Sequence, residues 1–148
     1  ARSLILYAYA YSAASIGAFA FLIILINQLQ TDHQDALKGL AYSNPLLAIF
    51  LAVILISLAG IPPTAGFFAK YYLFTTLISQ GYVGLVIIAV LSSLIGVYFY
   101  LRPIIFMFQH SNVETKLKIS QSSLAFFALV TLIIVILGFM PQLIIEII

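Results

Sequence analysis

The chain has 148 residues, of which 64% are hydrophobic and 7% are charged, and its mean hydropathy is +1.21. Soluble domains carry about 25% charged residues, so this composition excludes an ordinary soluble domain and indicates an integral membrane protein. The net charge of +2 gives no indication of nucleic-acid binding, and the absence of cysteine excludes a disulfide, a thiolate metal site or an iron–sulfur cluster within this chain.

The few charged residues leave long apolar stretches between them. Uncharged stretches separate residues 2 and 32, 38 and 70, 70 and 102, and 118 and 146. Each is long enough for a membrane crossing, which needs about 20 residues. Taken together they predict an all-α membrane domain over 1–148 with four transmembrane helices.

The first helix is predicted over about 4–26, and a polar loop follows over 27–44. Asn44 is the expected N-cap of the second helix, with Pro45 at its first position. The second apolar segment, 45–78, is too long for one straight crossing, because 34 residues of helix would measure about 51 Å against a hydrocarbon core of about 30 Å. We therefore expect one discontinuous helix.

The helix break is predicted at Gly60, Pro62 and Pro63. Neither proline has an N–H group, so helical hydrogen bonds must be lost there. The freed carbonyl groups near Leu58 and Ala59 then need partners from protein or trapped water, since lipid offers none.

The third helix is predicted over about 82–106, with a bend or end near Pro103, and a polar loop follows over 109–121. Ser122 or Ser123 is expected to cap the fourth helix, over about 122–140, which Pro141 kinks or ends. Both long loops then lie on one side with most of the basic residues. The positive-inside rule assigns that side to the cytoplasm or the mitochondrial matrix.

Lys70 is the only charged residue between Lys38 and Arg102. An ammonium group within a membrane costs about 2.5–3.5 kcal/mol on insertion scales, so it must face the bundle interior or water. A broken helix beside an ionisable group is typical of an ion pathway. The alternative is a structural lysine that snorkels to the interface or pairs with a carboxylate.

Three stretches resemble one known family: Ser15–Phe21 (SIGAFAF), Ser57–Phe74 (SLAGIPPTAGFFAKYYLF) and Ser93–Arg102 (SLIGVYFYLR). They are similar, in order and spacing, to the antiporter-like membrane subunits of NADH:ubiquinone oxidoreductase, respiratory complex I, in particular to chain 2 and its bacterial counterpart, subunit N. The resemblance implies a proton-translocating subunit of a respiratory-chain translocase, and within it Lys70 as the terminal lysine of a proton channel.

The resemblance also implies a missing part. The family has about fourteen helices in inverted repeats, and this chain would correspond to the last four, as a split gene product or a portion of a longer chain. The expected partners are the missing N-terminal half, adjacent antiporter-like subunits, other complex I membrane subunits and lipids. NADH, FMN, iron–sulfur clusters and quinone are expected on other subunits, with no redox chemistry, cofactor, metal or catalytic residue in this chain.

Several side chains are candidates for supporting Lys70. The hydroxyl groups of Ser57 and Thr64 are expected to hold water at the break, and the less favoured alternative is a kink needed only for packing. Four tyrosines could extend a water wire if they are buried: Tyr7, Tyr11, Tyr98 and Tyr100. Such residues more often anchor a helix at the interface or complete a core.

The remaining polar candidates lie towards the basic side. Arg102 is expected to snorkel or contact lipid phosphate. His33 and His110 lie in loops, where a histidine is usually solvated, and they are too far apart in sequence to indicate a metal site.

Two other functions remain open from the residues alone. One is a structural membrane subunit that moves no ions, which predicts a fixed carboxylate beside Lys70 and a dry break. The other is part of a related cation/proton antiporter. The expected location is the mitochondrial inner membrane, with the bacterial plasma membrane as the alternative.

Overall fold

The structure, a computed structural model, describes residues 2–31, 33–110 and 117–140. These residues form helices and contain no β-strand. The helices are α1 (Arg2–Leu29), a 3₁₀ helix (Gln34–Leu37), α2 (Leu40–Ser43), α3 (Pro45–Ala59), α4 (Ala65–Ser79), α5 (Val83–Phe108) and α6 (Gln121–Phe139). Within the described residues, three segments are long and apolar enough to cross a membrane: Ser3–Leu29, Val83–Phe108 and Gln121–Phe139.

Helix α3 lies at the centre of the bundle. It packs against α1, α4, α5 and α6, and the short α2 leads into it. Nine of its 15 residues are buried, from Leu47 at one end to Ala59 at the other. A helix that is apolar on every side is stable only where other helices surround it, which explains why this segment takes the central position.

One face of α1 packs into the bundle through residues three, four or seven positions apart. Its buried residues are Leu6, Ala10, Ala14, Gly17, Phe21 and Leu25. A Cβ atom at Gly17 would lie 2.9 Å from Ile54 Cδ1 and 3.0 Å from Val130 Cγ1. Small residues on this face therefore let α1 approach α3 and α6 closely, which is how membrane helices gain contact area.

Helix α1 continues to Leu29, three residues beyond the end predicted from the polar Asn27–Gln28 pair. The amide of Gln28 explains why polar residues do not end the helix here. Its Nε2 donates to the Lys118 carbonyl at 2.7 Å, and its Oε1 accepts from the Lys118 N–H at 2.8 Å. The side chain thus replaces its lost water contacts with two hydrogen bonds to the segment before α6.

The predicted cap of the last helix was wrong. Helix α6 begins at Gln121, and Ser120 is its N-cap, with its hydroxyl oxygen accepting from the Ser123 N–H at 3.1 Å. The hydroxyl groups of Ser122 and Ser123 instead lie 3.0 and 2.9 Å from the Ser120 hydroxyl. Three serines in four positions each satisfy the sequence signature of a cap, and only the backbone geometry selects one.

Helix α3 begins where predicted, with Asn44 at its N-cap position, whereas the end of α5 differs from the predicted pattern. Pro45 is the first residue of α3, but the preceding Asn44 makes no side-chain capping hydrogen bond. Helix α5 continues through Pro103 to Phe108, so the proline does not end it. The missing N–H removes a single helical hydrogen bond, and the turns on both sides remain intact.

The two polar loops meet at one end of the bundle. The Gly39 N–H donates to the Gln109 carbonyl at 3.1 Å, and the Tyr42 hydroxyl donates to the Phe108 carbonyl at 3.4 Å. The rings of Tyr42 and His110 pack edge to face with centroids 5.4 Å apart. The expectations for Asp32, Glu114, Lys116, Pro141 and Glu146 fall outside the described residues.

Gly138 is the point where α6 meets the link between α3 and α4. A Cβ atom there would lie 2.4 Å from the Pro63 carbonyl oxygen and 2.9 Å from Thr64 Cα. Both neighbouring atoms belong to the backbone, so they cannot move aside as the end of a flexible side chain would. The absence of a side chain at Gly138 therefore sets the distance between α6 and the link.

We expect Gly138→Ala to destabilise the fold by about 1–3 kcal/mol, as overpacked sites do. Gly96→Ala is the matched control, because a Cβ atom at Gly96, also within a helix, would meet only Tyr100 Cε2 at 3.8 Å. Thermal unfolding in detergent, followed by circular dichroism, should show a lower midpoint for the first variant only. Equal midpoints for the two variants would contradict the packing argument.

Candidate functional site

The residues between α3 and α4 form a non-helical link over 60–64. Gly60 has φ +80° and ψ +40°, a left-handed conformation that glycine adopts at no steric cost. The Gly60 N–H donates to the Ser57 carbonyl at 3.0 Å, and the Ile61 N–H donates to the Ile56 carbonyl at 3.2 Å. This pair of bonds is a Schellman motif, a common way for a helix to end.

Lys70 completes the end of α3. The last four carbonyls of a helix have no partner within it, and the Schellman motif binds those of Ile56 and Ser57. The two that remain are those of Leu58 and Ala59, and Lys70 Nζ donates to them at 3.4 and 3.2 Å. The lysine of α4 therefore binds the C-terminal end of α3, where the helix dipole favours a positive charge.

The side chain of Lys70 lies directly against Gly60. A Cβ atom at this position would be 3.0 Å from both Lys70 Cδ and Lys70 Nζ. The same residue thus needs to be glycine for two reasons: its left-handed backbone and the space that the lysine occupies. The second reason depends on a contact between residues ten positions apart.

The start of α4 crosses the end of α3 at Gly66 and Ser57. A Cβ atom at Gly66 would lie 1.8 Å from the Ser57 carbonyl oxygen, so only glycine permits this crossing. The Gly66 N–H donates to Ser57 Oγ at 3.2 Å, and Ser57 is buried. The role of Gly66 was not predicted from the sequence. Its position six residues after Gly60 could have indicated a second close backbone contact near the break.

Lys70 separates two cavities. The smaller, of about 10 Å³ measured as space for the centre of a water molecule, is lined by Tyr7, Tyr11, Ser57 and Lys70 among others. The larger is an open groove of about 490 Å³ between α4 and α5, and apart from Lys70 its lining is mainly apolar. The half-buried Lys70 therefore borders a small cavity on one side and an apolar groove on the other.

The residues predicted to support Lys70 lie in different surroundings in the structure. Ser57 lines the small cavity. The hydroxyl of Thr64 donates to the Ile61 carbonyl at 2.7 Å and so stabilises the link itself. Tyr100 lines a groove that Tyr11 also lines, whereas Tyr98 is 62% exposed and packs beside Phe99.

Tyr7 and Tyr11, expected to be interfacial anchors or core residues, both line the small cavity beside Lys70. Their rings stack with centroids 5.9 Å apart and an angle of 12° between planes. The sequence signal was their spacing of four residues, alternating with Ala10 and Ala14 along one face of α1. Those small residues bring the tyrosine face towards α4, where Tyr7 is partly buried and Tyr11 remains 47% exposed.

No carboxylate in the described part of the chain lies within ion-pair distance of Lys70. The acidic residue described there, Asp35, pairs with Lys38 at 2.6 Å in the loop region. That pairing holds the pKa of the exposed Asp35 carboxyl below its ordinary value, chiefly through the hydrogen bond from Lys38. Within these residues, the backbone carbonyls of α3 take the place of a counter-ion for Lys70.

Arg102 and the histidines are placed at the loop end of the bundle. Arg102 is exposed, and its guanidinium lies 5.7 Å from the centroid of the Phe106 ring. His33 and His110 are exposed, and His110 contacts Tyr42. None of the three contacts Lys70 directly.

Comparison with known proteins gives a consistent family. A family model described as "NADH:quinone oxidoreductase/Mrp antiporter, TM" matches residues 1–96. The chain is 41% identical over 141 residues to NADH-quinone oxidoreductase subunit N of Bdellovibrio bacteriovorus, covering 94% of this chain and 29% of that protein. It is 38% identical over 150 aligned positions to subunit N of Cytophaga hutchinsonii, covering 98% of this chain and 32% of that one.

A solved structure agrees with the sequence comparison. One chain of the respiratory complex I from Thermus thermophilus with bound aureothin matches 99% of this chain with a TM-score of 0.83 and 26% identity. The match covers 34% of that chain. This chain thus spans about a third or less of the length of the relatives it matches.

We expect Gly60→Ala to destabilise the link more than Gly81→Ala does. Both glycines have a left-handed backbone, with φ +80° and +85°, which costs alanine about 1–2 kcal/mol. A Cβ atom at Gly81 meets nothing within 4 Å, whereas one at Gly60 meets the Lys70 side chain. The difference between the two thermal midpoints in detergent isolates the lysine contact, and equal shifts would refute it.

Proposed function

This chain belongs to the NADH:quinone oxidoreductase/Mrp antiporter family, and we propose that it forms the terminal part of a proton channel in a membrane subunit of respiratory complex I. Lys70 is the group that carries the proton. The observation that supports this proposal is the position of Lys70, whose Nζ binds two helix-end carbonyls and which borders a small cavity together with Tyr7, Tyr11 and Ser57. An intramembrane ionisable group in such surroundings marks an ion pathway.

Helices α3 and α4 together form one discontinuous crossing, which brings the number of transmembrane helices to four. Each has 15 residues and is about 22 Å long, too short to cross a hydrocarbon core of about 30 Å by itself. The link over 60–64 places non-helical backbone within the membrane. Such backbone is tolerated where protein covers it, and α6 packs through Gly138 against Pro63 and Thr64, although the side chains of Pro62 and Pro63 are exposed.

The two carbonyls form a binding position for the charged amine of Lys70. In the ammonium form, Lys70 has three donors, and two of them bind the Leu58 and Ala59 carbonyls at the negative end of the α3 dipole. The third donor is free to reach water in the small cavity. A change of charge in a neighbouring group would alter the stability of the ammonium form of Lys70 relative to the neutral amine. The amine would then release a proton to the cavity or take one up from it.

The remaining parts of the proposal concern the assembly. This chain has three kinds of partner: the part of the subunit that corresponds to the remaining two thirds of its relatives, the adjacent antiporter-like subunits, and lipids. Exposed apolar side chains of α5, such as Ile88 and Leu94, offer a surface for them. NADH oxidation, FMN, iron–sulfur clusters and quinone belong to other subunits of the complex.

The relatives named above are bacterial, which favours the bacterial plasma membrane over the mitochondrial inner membrane. The loops that carry Lys38 and Lys118 then face the cytoplasm, as the positive-inside rule requires. These relatives give no support to the expectation of a mitochondrial split gene.

A second candidate function is structural, and one observation favours it. The carbonyls at the end of α3 need donors in any case, so Lys70 could serve as a helix cap that releases no proton. This alternative differs from the proposal in a single property, the ability of residue 70 to titrate. The two can therefore be separated by substitution.

Lys70→Arg is the variant that separates them. Arginine keeps the positive charge and the donors but does not deprotonate in proteins, so a structural cap would survive and a proton carrier would not. We expect the assembled complex with Lys70→Arg or Lys70→Met to oxidise NADH under uncoupled conditions but to pump fewer protons per electron in liposomes. Lys118→Arg, which changes an exposed loop lysine in the same way, should pump normally.

The outcome that would reject the proton-carrier role is normal proton yield in an assembled Lys70→Arg complex. Normal pumping in Lys70→Arg together with failed assembly in Lys70→Met would favour the structural cap. Lower proton yield in both variants, with assembly retained, supports the proposal.

A further inference from the structure

Tyr11 borders two spaces that are otherwise separate. On one side it lines the small cavity together with Tyr7, Ser57 and Lys70. On the other side it lines a groove of about 340 Å³ that extends along α1, α3 and α5. Leu58 is the one other residue that lines both spaces, and its side chain has no polar atom. Of these two shared residues, therefore, Tyr11 alone can exchange a proton between the spaces.

The groove reaches from Tyr11 to the loop end of the bundle. His33 and Gln34 line it at that end, in the loop and the 3₁₀ helix, and Tyr11 and Tyr100 line it deeper within the bundle. Ser15 adds a hydroxyl group between them on the α1 wall. The groove is thus apolar over most of its length but carries polar groups at both ends.

The small cavity has the dimensions for a single water molecule. Its volume of about 10 Å³, as space for the centre of a water molecule, is near the lower limit at which a polar cavity holds one. A buried water needs two to four polar partners. Four of the residues that line the cavity have polar side chains: Tyr7, Tyr11, Ser57 and Lys70.

We propose that Tyr11 passes protons between the groove and Lys70 through one water molecule held in the small cavity. Tyr7 and Ser57 are positioning residues that bind and orient this water. Ser57 Oγ already accepts from the Gly66 N–H, so its own O–H remains available to donate to the water. The inference rests on the proposed role of Lys70 and specifies the route by which its proton arrives or leaves.

The transfer conserves protons on every oxygen. A proton from the groove binds to the Tyr11 phenol oxygen as the phenol releases its own proton to the cavity water. That water releases one of its protons to Lys70 Nζ, and the neutral amine becomes an ammonium group. The phenol and the water end with as many protons as before, and discharge of Lys70 runs through the same steps in reverse.

Tyr11→Phe tests the relay, because it removes the hydroxyl group and keeps the ring that stacks on Tyr7. Tyr9→Phe is the matched control. It removes the same group from the same helix, at a residue that is 62% exposed and lines neither space. Both variants are compared with the unaltered chain in the assembled complex, reconstituted in liposomes and driven by NADH.

We expect Tyr11→Phe to slow proton transfer to Lys70 by about 10²-fold, the lower range of what a positioned proton-transfer group contributes. Proton yield per electron should fall, uncoupled NADH oxidation should persist, and the solvent deuterium isotope effect on pumping should rise, because proton transfer becomes rate-limiting. A merely structural tyrosine would leave the isotope effect unchanged. Tyr9→Phe should match the unaltered complex in every measurement.

The result that would overturn the relay is a normal proton yield and a normal isotope effect in Tyr11→Phe. If Lys70→Arg lowers pumping in the same assay, that result removes the relay and leaves Lys70 as the proton carrier. If Lys70→Arg also pumps normally, the proposed function itself fails. The two variants together therefore distinguish the two failures.

Discussion

The hydrogen bonds from Lys70 to the end of α3 link the parts of this fold on which the site depends. They supply donors to two carbonyls that would otherwise be unpaired in an apolar bundle, where each unsatisfied group costs several kcal/mol. They also give a lone ammonium group a place where the helix dipole is favourable. The interruption of the helix and the buried charge are each costly alone, and each offsets part of the cost of the other.

Glycine residues make this arrangement geometrically possible. Gly60 leaves room for the lysine side chain, Gly66 lets α4 start against the Ser57 carbonyl, and Gly138 lets α6 cover the link. At all three positions the atoms that exclude a side chain belong to the link, to the end of α3 or to Lys70. The close backbone approach brings α4 against the end of α3 and α6 against Thr64, which is buried, whereas Pro62 and Pro63 are exposed.

The local chemistry of the break could be predicted from the sequence. Gly60 followed by Ile61, Pro62 and Pro63 must interrupt a helix, because prolines cannot donate and glycine readily adopts the left-handed conformation. The freed carbonyls near Leu58 and Ala59 follow from helix geometry. The ends of the helices could not be predicted as well. Ser120, Ser122 and Ser123 are equally good N-cap residues by sequence. The hydrogen bonds between Gln28 and a segment ninety residues away could not be predicted either.

By itself, the sequence determined that this protein lies in a membrane, that helical structure stops near residue 60, and that Lys70 is a charge in need of partners. Composition, proline chemistry and the cost of charge in hydrocarbon suffice for these conclusions. Only the tertiary structure decided that the lysine binds α3, and that Tyr7 and Tyr11 face Lys70 while Tyr98 does not. The physical reason is that these relations depend on how close one helix approaches another, and small residues set that distance across segments far apart in the chain.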